Sequence, residues 1–326
     1  MSNALFIKNK IKRFNKKIKV AGDKSLSIRW VLLASQATGK SKAYNLLMSE
    51  DVLAAIDCIK KLGIKVKIHK NYCEVFGNGL NGFKYKKGLT INARNSGTLG
   101  RLILGLLTSS PQKIKLIGDK SLSKRDFSRV TMPLQKFGAK FYYKTKNKLP
   151  LSILGSKSIK NIKYLENKGS AQCKSTVMLA ALNSLGTTSI KAKKSRNHSE
   201  LLFKYLKIPI KIRTTKRYDF IDIKKPKIIP SFNYQIPGDI SSSAFFIVLT
   251  ILADSSKLLI KDVNINSSRI GVITILKKMG AKISLTNKKN YRGEVISDIL
   301  IKSSKNLKAI NCPPELNSSA IDEFLI

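Results

Sequence analysis

An eight-residue pattern with the residue types of an anion-binding helix start occurs twice in the chain. It reads GDKSLSIR where it ends at Arg29 and GDKSLSKR where it ends at Arg125. An aspartate or serine directly before an apolar segment is typical of a helix N-cap. A helix N-terminus carries unpaired N–H groups and partial positive charge, so it can bind phosphate or carboxylate. The repeat indicates a duplicated structural unit, and it also predicts two helix starts that could hold anions.

Three further stretches rich in small and polar residues stand immediately before long apolar segments. They are NSGT (95–98), KGSAQ (168–172) and PGDISSS (237–243). Each is typical of a helix N-cap. If the fold brings these starts together, they form a cleft that attracts anions. The basic residues near the helix starts are Lys24, Arg29, Arg101 and Lys174.

Arginine is scarce, which makes each arginine informative. Of the 62 basic residues, only 11 are arginine. A guanidinium group binds carboxylate or phosphate with two parallel hydrogen bonds, which lysine cannot do. We therefore treat the arginines beside the Gly/Ser-rich stretches as candidate ligand-binding groups, with a surface salt bridge as the alternative for each. These arginines are Arg29, Arg101, Arg125 and Arg196.

The overall charge and the rare residue types limit the functional classes. A net charge of +43 on 326 residues raises nucleic acid as a partner. The lysines are spread along the whole chain, however, without the basic and aromatic patch typical of nucleic-acid-binding proteins. We interpret the charge as a lysine-rich, solvated surface, and we predict no nucleic-acid partner. With two histidines and four widely spaced cysteines, we also predict no metal site.

The same sequence gives no sign of export or of membrane insertion. No apolar run approaches the ~20 residues that span a bilayer. The N-terminal sequence MSNALFIKNKIKRFNKK lacks the long apolar run and the cleavage site of a signal peptide. We therefore expect a cytoplasmic protein with reduced cysteines, without a membrane partner.

A helix–glycine–strand pattern recurs and predicts the fold class. It appears as IKKLGIKVKI (59–68), LQKFGAKFYY (134–143) and LKKMGAKISL (276–285). LFKYLKIPIKI (202–212) is a fourth copy in which we expect the helix to stop near Pro209. Each copy is typical of a helix ended by glycine and followed by a strand of alternating polarity. With the apolar helices that precede them, these copies predict an α/β protein built from repeated strand–helix modules.

The motifs, taken in order, resemble one enzyme family. GDKSLSIR is similar to a GDKSISHR-type motif, NSGTLGRL to N-[AS]-G-T-x-x-R-L, and the second GDKSLSKR to G-D-x-S-L-x-x-R-P. GSAQCKSTVMLAAL resembles SAQVKSA, SRNHSE resembles SRDHTE, and IPGDISSSAFF resembles P-G-D-x-S-S-A-F. SSRIGVITILKKMGA and IDEF match later elements. The sequence thus resembles 5-enolpyruvylshikimate-3-phosphate (EPSP) synthase from about Ile18 to its last residue.

The resemblance implies a two-domain inverse α/β barrel of repeated βαβαββ units. In that fold the chain starts in one domain, completes the other and then returns. Here residues 21–237 are expected to form a complete upper domain, and residues 1–20 plus 238–326 an incomplete lower domain. The reaction implied is transfer of the enolpyruvyl group of phosphoenolpyruvate to the 5-hydroxyl of shikimate 3-phosphate, with release of phosphate. The family needs no cofactor, and we expect a monomer whose partners are these two substrates.

The resemblance also assigns roles to residues at the matching positions. Lys24 is expected to assist proton transfer, and Asp322 to be the general base, with a simple helix cap as the alternative for Asp322. The residues expected to bind shikimate 3-phosphate are Lys24, Ser25, Arg29, Ser170, Ala171, Gln172, Arg196 and Asp322. Those expected to bind phosphoenolpyruvate are Lys24, Gly97, Arg125 and Gln172.

Several positions depart from the family pattern. Ile28, Asp126 and Leu325 replace residues common in the motifs, but the anion-binding groups stay in place. The chain stops at Ile326, before the family's K-E-S-D-R motif, so we expect negligible synthase activity from this polypeptide alone and interpret it as a truncated gene or a partial sequence. Gly97 leaves space beside phosphoenolpyruvate, which predicts sensitivity of a completed enzyme to the competitor glyphosate.

Three other interpretations stay open at this point. The sister enolpyruvyl transferase acting on UDP-N-acetylglucosamine shares the architecture, but its site does not match GDKSLSIR or GSAQ. A basic RNA-binding protein of βαβαββ modules predicts binding that falls steeply with salt and does not depend on Arg29. A remnant without a catalytic role is the third.

Overall fold

The computed structural model describes residues 11–326, and these divide into two compact units. The larger unit comprises Ala21–Pro237 and Arg292–Glu294. The smaller unit comprises the chain up to Val20, Gly238–Tyr291 and Val295–Ile326. The prediction that the chain lacks a secretion signal rests largely on residues 1–10, which lie outside the described residues.

Helices and strands alternate through both units. The helices are α1 Lys24–Gln36, α2 Glu50–Lys61, α3 Gly97–Leu106, α4 Lys120–Ser123, α5 Ser128–Lys136, α6 Ala171–Ala181, α7 His198–Tyr205, α8 Ile240–Leu252, α9 Gly271–Lys278 and α10 Asn317–Ala320. The strands of the first half are β1 Asn15–Ile18, β2 Thr38–Tyr44, β3 Lys65–Ile68, β4 Tyr72–Asn78, β5 Thr90–Asn92, β6 Ile114–Ile117, β7 Lys140–Tyr143 and β8 Leu151–Leu154. Those of the second half are β9 Lys163–Glu166, β10 Thr187–Lys193, β11 Ile210–Thr214, β12 Tyr218–Lys224, β13 Asn233–Gln235, β14 Lys257–Asn264, β15 Lys282–Tyr291 and β16 Glu294–Lys302.

The predicted helix starts are capped helix N-termini. The carboxylate of Asp23 accepts a hydrogen bond from the N–H of Leu26 at 2.8 Å, which starts α1. Ser96 caps α3, and Ser170 caps α6, each by accepting from the N–H three residues later. Asp119 caps α4 in the second copy of the repeated motif. These caps satisfy N–H groups that the helix itself leaves unpaired.

The predicted helix–glycine–strand corners are also present. Gly63, Gly138 and Gly280 follow α2, α5 and α9 and have φ values of 85°, 106° and 98°. Left-handed backbone of this kind is the usual way to end a helix, and glycine adopts it without steric cost. The fourth helix, α7, ends at Tyr205, close to Pro209 as predicted. There Lys207, with φ of 55°, makes the left-handed turn ahead of Pro209.

Four sheets of four strands each share one pairing pattern. Their strand orders are β13-β2-β4-β3, β5-β6-β8-β7, β9-β10-β12-β11 and β1-β14-β16-β15. In the three sheets of the larger unit, the first pair is parallel and the others are antiparallel. In the smaller unit, β1 pairs parallel with β14, and β14 pairs antiparallel with β16. The repeated modules therefore have a common topology.

Two of the modules have exchanged their first strands. β1 directly precedes α1 in the chain, but it pairs with β14 in the smaller unit. β13 directly precedes α8, but it pairs with β2 in the larger unit. The chain passes from one unit to the other at both of these points, between Val20 and Ala21 and between Pro237 and Gly238.

Helices α1 and α6, which begin with two of the predicted anion-binding motifs, form the interior of the larger unit. Every residue of α1 from Leu26 to Gln36 is buried, as is every residue of α6 from Cys173 to Ala181. A helix that is buried on all sides belongs to a core. α3 packs on α6 so closely that a Cβ atom at Gly105 would lie 2.3 Å from the carbonyl oxygen of Thr176. The exposed or half-buried residues of α1 and α6 are confined to their N-terminal ends, at Lys24 and Ser25 and at Ala171 and Gln172.

The described residues lack two features that would suggest other functions. None of the helices in residues 11–326 has the length and apolar character needed to cross a lipid bilayer. Over the same residues, no group of three or more His, Cys, Asp or Glu side chains is arranged to hold a metal ion. The four cysteines are free thiols.

Candidate anion-binding site

The first cluster of site residues is centred on the buried guanidinium of Arg29. Its Nε donates to Oγ of Ser199 at 2.9 Å, and its Nη2 donates to Oγ of Ser175 at 3.3 Å. Its Nη1 donates to the carbonyl oxygen of Ser25 at 3.0 Å. Ser199 in turn donates to Ser175 at 2.7 Å. These contacts fix the plane of the guanidinium, which is the condition for bidentate binding of a phosphate or carboxylate.

Arg29 stays charged at neutral pH in spite of its burial. Removal from water lowers the pKa of Arg29 to about 10, and the nearby positive charge of Arg196 acts in the same direction. The carboxylates of Glu200, Asp23 and Glu294 oppose this and stabilise the charged form. A buried cation beside a second cation is a favourable place for a ligand with more than one negative charge.

Lys174 does not belong to the ligand-binding surface, although its sequence position suggested that it could. Its side chain is completely buried, and its Nζ lies 2.5 Å from Oε1 of Glu200. Buried charges of this kind are found paired, because an isolated one is costly. Lys174 and Glu200 thus connect α6 with α7 inside the larger unit.

The second cluster surrounds Gly97 at the start of α3. A Cβ atom added at Gly97 would lie 2.8 Å from Nη1 of Arg125 and 3.1 Å from Nη1 of Arg101. The two guanidinium groups therefore lie directly over the missing side chain. Burial lowers the pKa of Arg101, and the positive charges of Arg125 and Arg129 act in the same direction. Like charges held together in this way favour the binding of an anion.

Gln172 is held between the helix starts of α3 and α6. Its Oε1 accepts from Nη1 of Arg101 at 2.6 Å, and its Nε2 donates to the hydroxyl of Thr98 at 3.0 Å. The same helix, α6, carries Ser175 of the first cluster one turn further on. α6 thus positions both clusters, and Ser170 and Ala171 form its N-terminus between them.

The second copy of the repeated motif positions Arg125. Asp119 accepts hydrogen bonds from the N–H of Leu122 at 2.6 Å and from the amide of Asn95. This links the start of α4 to the loop before α3. Arg125 lies two residues after the end of α4. Its backbone N–H donates to the carbonyl oxygen of Leu122 at 3.1 Å, so the short helix fixes the backbone position of Arg125. Lys120 in this copy is exposed, as expected for a solvated lysine.

The structure brings together most of the predicted residues, and adds some that the sequence did not reveal. Lys24 lies at the start of α1, half exposed, with its Nζ 3.6 Å from the carboxylate of Asp51. Asp322 is an exposed residue of a short 3₁₀ turn in the smaller unit, so its assignment stays a prediction. The polar residues missed are Thr98, Ser175, Ser199 and Glu294. Thr98, Ser175 and Ser199 lie inside the quoted motifs, whereas no pattern singled out Glu294.

Comparisons with known proteins identify the family. A model of the family described as EPSP synthase (3-phosphoshikimate 1-carboxyvinyltransferase) matches residues 8–315. The chain is 41% identical over 317 residues to the 3-phosphoshikimate 1-carboxyvinyltransferase of Ruthia magnifica, covering 94% of this chain and 69% of that protein. It is 39% identical over 322 residues to the one from Thermoanaerobacter sp. (strain X514), covering 98% and 74%.

A solved structure agrees with the sequence relatives. The EPSP synthase from Acinetobacter baumannii superposes with a TM-score of 0.87 at 34% identity, over 96% of this chain and 71% of that one. The identity, the coverage and the shared two-domain α/β fold all point to the same conclusion. This chain is a member of the EPSP synthase family.

Proposed function

We propose that this chain acts in the transfer of the enolpyruvyl group of phosphoenolpyruvate to the 5-hydroxyl of shikimate 3-phosphate. This is the reaction of the family, a step of the shikimate pathway to aromatic amino acids. The observation that carries the proposal for this chain is the pair of arginine clusters along α6. Two anionic substrates need two cationic positions close to each other, and Gln172 links the second cluster to the helix that carries the first.

The first cluster is proposed to hold shikimate 3-phosphate. Arg29 has two of its nitrogens fixed by Ser199 and Ser175 and is the strongest candidate for the bidentate contact. The N-terminus of α6 at Ser170 and Ala171 offers N–H groups to the phosphate. The other residues proposed for this substrate are Lys24, Ser25, Gln172, Arg196 and Asp322.

The second cluster is proposed to hold phosphoenolpyruvate. Arg125 and Arg101 lie over Gly97, where a side chain would displace them. A guanidinium group pre-positioned in this way stabilises negative charge without reorganisation during the reaction. Gln172 contacts Arg101 and lies on the side of α6, so it is proposed to lie between the two substrates.

The proposed reaction is addition followed by elimination. The 5-hydroxyl oxygen forms a bond to C2 of phosphoenolpyruvate and gives its proton to a base, while C3 gains a proton. The resulting tetrahedral intermediate loses a proton from C3 as the C2–O bond to phosphate breaks. We assign the base role to Asp322 and proton transfer at C3 to Lys24, since proton transfers need positioned acid–base groups.

The cofactor requirement, oligomeric state and compartment proposed for this protein are those expected from the sequence. No cofactor or metal enters the steps above. We propose that the protein is a monomer in the cytoplasm. Its free cysteines, three of them buried, suit a reducing compartment.

Calorimetry with shikimate 3-phosphate tests the proposal. Arg29→Lys keeps a charge but removes the planar fork, and should weaken binding by about 10- to 100-fold, since hydrogen bonds to charged groups contribute ~1.5–3 kcal/mol. Arg213→Lys, on exposed β11, is the control and should bind like the parent chain.

The same measurement separates the alternatives. Binding of UDP-N-acetylglucosamine in place of shikimate 3-phosphate would favour the sister transferase. RNA binding that falls steeply with salt and is equal in both variants would favour the nucleic-acid-binding interpretation.

A further inference from the structure

The turn between β15 and β16 carries a group of buried contacts that the proposed reaction does not use. The strands of this hairpin belong to the smaller unit, but its turn, Arg292–Glu294, belongs to the larger one. Arg292 and Gly293 both have positive φ values, 50° and 91°, as in the two-residue turns that close β-hairpins. Asparagine and glycine are the usual residues there, so an arginine in left-handed conformation indicates a position fixed by its contacts.

Each residue of the turn is fixed by a specific contact. The guanidinium of Arg292 lies over two aromatic rings, 5.3 Å from the centre of Tyr205 and 5.9 Å from that of Tyr234. A Cβ atom at Gly293 would lie 3.2 Å from the carbonyl oxygen of Leu201, so the turn approaches α7 closely. Contacts of a cation with aromatic faces stabilise such an arrangement.

Glu294 makes the most buried contact of the three. Its Oε1 lies 2.7 Å from Nδ1 of His198, and both side chains are completely inaccessible to solvent. The other ring nitrogen of His198, Nε2, has no hydrogen-bond partner among the described residues. The ring orientation of His198 is thus set by Glu294, because a buried carboxylate accepting from Nδ1 fixes the imidazole.

His198 is the first residue of α7, and the first turn of α7 contacts the first arginine cluster through Ser199. Three consecutive residues at the start of α7 make buried polar contacts. His198 contacts Glu294, Ser199 accepts from Nε of Arg29, and Glu200 pairs with Lys174. Ser199 lies between His198 and Glu200, and the buried contacts of these two neighbours hold its backbone in place. A shift of His198 would therefore also move the oxygen that accepts from Arg29.

We infer that Glu294 is a positioning residue for the shikimate-3-phosphate side of the site, acting through His198 and Ser199 on Arg29. The ligand in this statement rests on the proposed function. The inferred action on the Arg29 guanidinium does not. Glu294 lies 96 residues after His198 in the sequence, and the hydrogen bond to Nδ1 of His198 connects it to the start of α7.

Two conservative variants of Glu294 separate the effect of side-chain length from the effect of charge. Glu294→Gln keeps an oxygen at the distance that accepts from His198 but loses the charge. Glu294→Asp keeps the charge but shortens the side chain by one methylene. If Glu294 acts by position, shikimate 3-phosphate should bind about tenfold more weakly to Glu294→Asp and within about threefold of the parent chain to Glu294→Gln, where tenfold corresponds to about 1.4 kcal/mol. Glu50→Asp and Glu50→Gln, at the exposed start of α2, are the matched controls.

A double-mutant cycle tests the route through Ser199. In a Ser199→Ala background, Glu294→Asp should cause no further loss of affinity, because the contact through which it acts is already removed. An equal loss with and without Ser199 would overturn the inference, and so would parent-like affinity of a folded Glu294→Asp variant. Impaired Glu294→Gln beside an unimpaired Glu294→Asp would also overturn it, by assigning the role to charge.

A readout without ligand separates this inference from the proposed function. The Nε–H of Arg29 donates to Ser199 in a buried site, so its NMR signal should exchange slowly with water. Glu294→Asp in the full chain should speed that exchange by about tenfold or more. If the parent chain binds no shikimate 3-phosphate, the proposed function fails, and the exchange rate still decides the inference: unchanged protection would overturn it.

Discussion

Adding one methyl group at Gly97 should weaken the binding of phosphoenolpyruvate. In Gly97→Ala the new Cβ would lie 2.8 Å from Nη1 of Arg125, so the guanidinium must move away. The end of a flexible side chain can move at little cost to folding, and we expect the variant to fold. Phosphoenolpyruvate, and its competitor glyphosate, should bind roughly tenfold more weakly, and shikimate 3-phosphate should bind as before.

The measurement is calorimetry with each ligand, and Gly100→Ala on the same helix is the control. A Cβ at Gly100 would make ordinary contacts of 3.5 Å and is not directed at the arginines. Unchanged affinity of Gly97→Ala for phosphoenolpyruvate and glyphosate would place their site elsewhere.

Asp119 should make stability depend on pH. The N–H of Leu122, followed by the amide of Asn95, lowers the pKa of Asp119 below its ordinary value of 3.8. Because the folded-state pKa is the lower one, the stabilisation by the carboxylate is present above about pH 4 and is lost as the pH falls through the folded-state value. Asp119→Asn should therefore be less stable than the parent chain at neutral pH, and this difference should shrink in acid.

Urea unfolding at a series of pH values provides the test. Asp254→Asn, at an exposed position of the smaller unit just after α8, is the comparison variant. A stability difference between the parent chain and Asp119→Asn that stays constant down to about pH 3 would show that the carboxylate is not stabilised as described.

The contact between helices α3 and α6 makes a prediction at the scale of elements. Gly105→Ala would place a Cβ 2.3 Å from the backbone oxygen of Thr176, which cannot move without shifting α6. We expect a loss of about 1–3 kcal/mol in the free energy of unfolding. Gly100→Ala on the same helix has room, and should be neutral or more stable by up to ~1 kcal/mol. Chemical denaturation measures both, and equal effects would contradict the close packing.

The sequence predicted the elements well because their ends have local causes. The caps at Asp23, Ser96 and Ser170 and the left-handed glycines after three helices need only neighbouring residues. The left-handed conformation of Lys207 after α7 could not be predicted, since lysine has no preference for it. The apolar helix α8 illustrates another limit: its composition did not reveal that Phe245 and Leu252 are exposed.

The candidate site was predicted only in part for a similar reason. Motif residues such as Arg29, Gly97 and Gln172 occur in recognisable stretches, and the fold brings each of them beside another. Lys174 looked like an anion-binding group from its position, but its pairing with Glu200 depends on how two helices pack. Glu294 gave no signal, because its partner is fixed by a hairpin turn from a distant part of the chain.

At the scale of the whole molecule, the larger unit is predicted to fold by itself. Residues 21–237 contain all strands of three complete sheets. A fragment of these residues would lack Glu294, which leaves the buried His198 without its carboxylate. We expect a cooperative thermal transition, at a lower temperature than the full chain, because an unsatisfied buried polar group costs ~1–3 kcal/mol.

His198→Leu should change stability in opposite directions in the fragment and in the full chain. In the fragment, His198→Leu removes the unsatisfied imidazole and should raise the melting temperature. In the full chain it removes the imidazole that pairs with the buried carboxylate of Glu294 and should lower stability by about 3–5 kcal/mol. Melting curves of the four proteins provide the comparison, and the same sign in both contexts would refute the account.

The exchange of first strands sets an order of events during synthesis on the ribosome. The larger unit's sheets draw on residues up to 237, so they can all be assembled before β14 is translated. Among the described strands β1 emerges first, yet it pairs with β14 far along the chain: Asn15 pairs with Lys257, 242 residues later (257 − 15). At roughly 5–20 residues per second, this earliest strand waits on the order of 12–50 seconds with an unpaired edge. The nascent chain can thus assemble the sheets of its larger unit early, while β1, which carries two lysines, keeps an unpaired edge until β14 has been made.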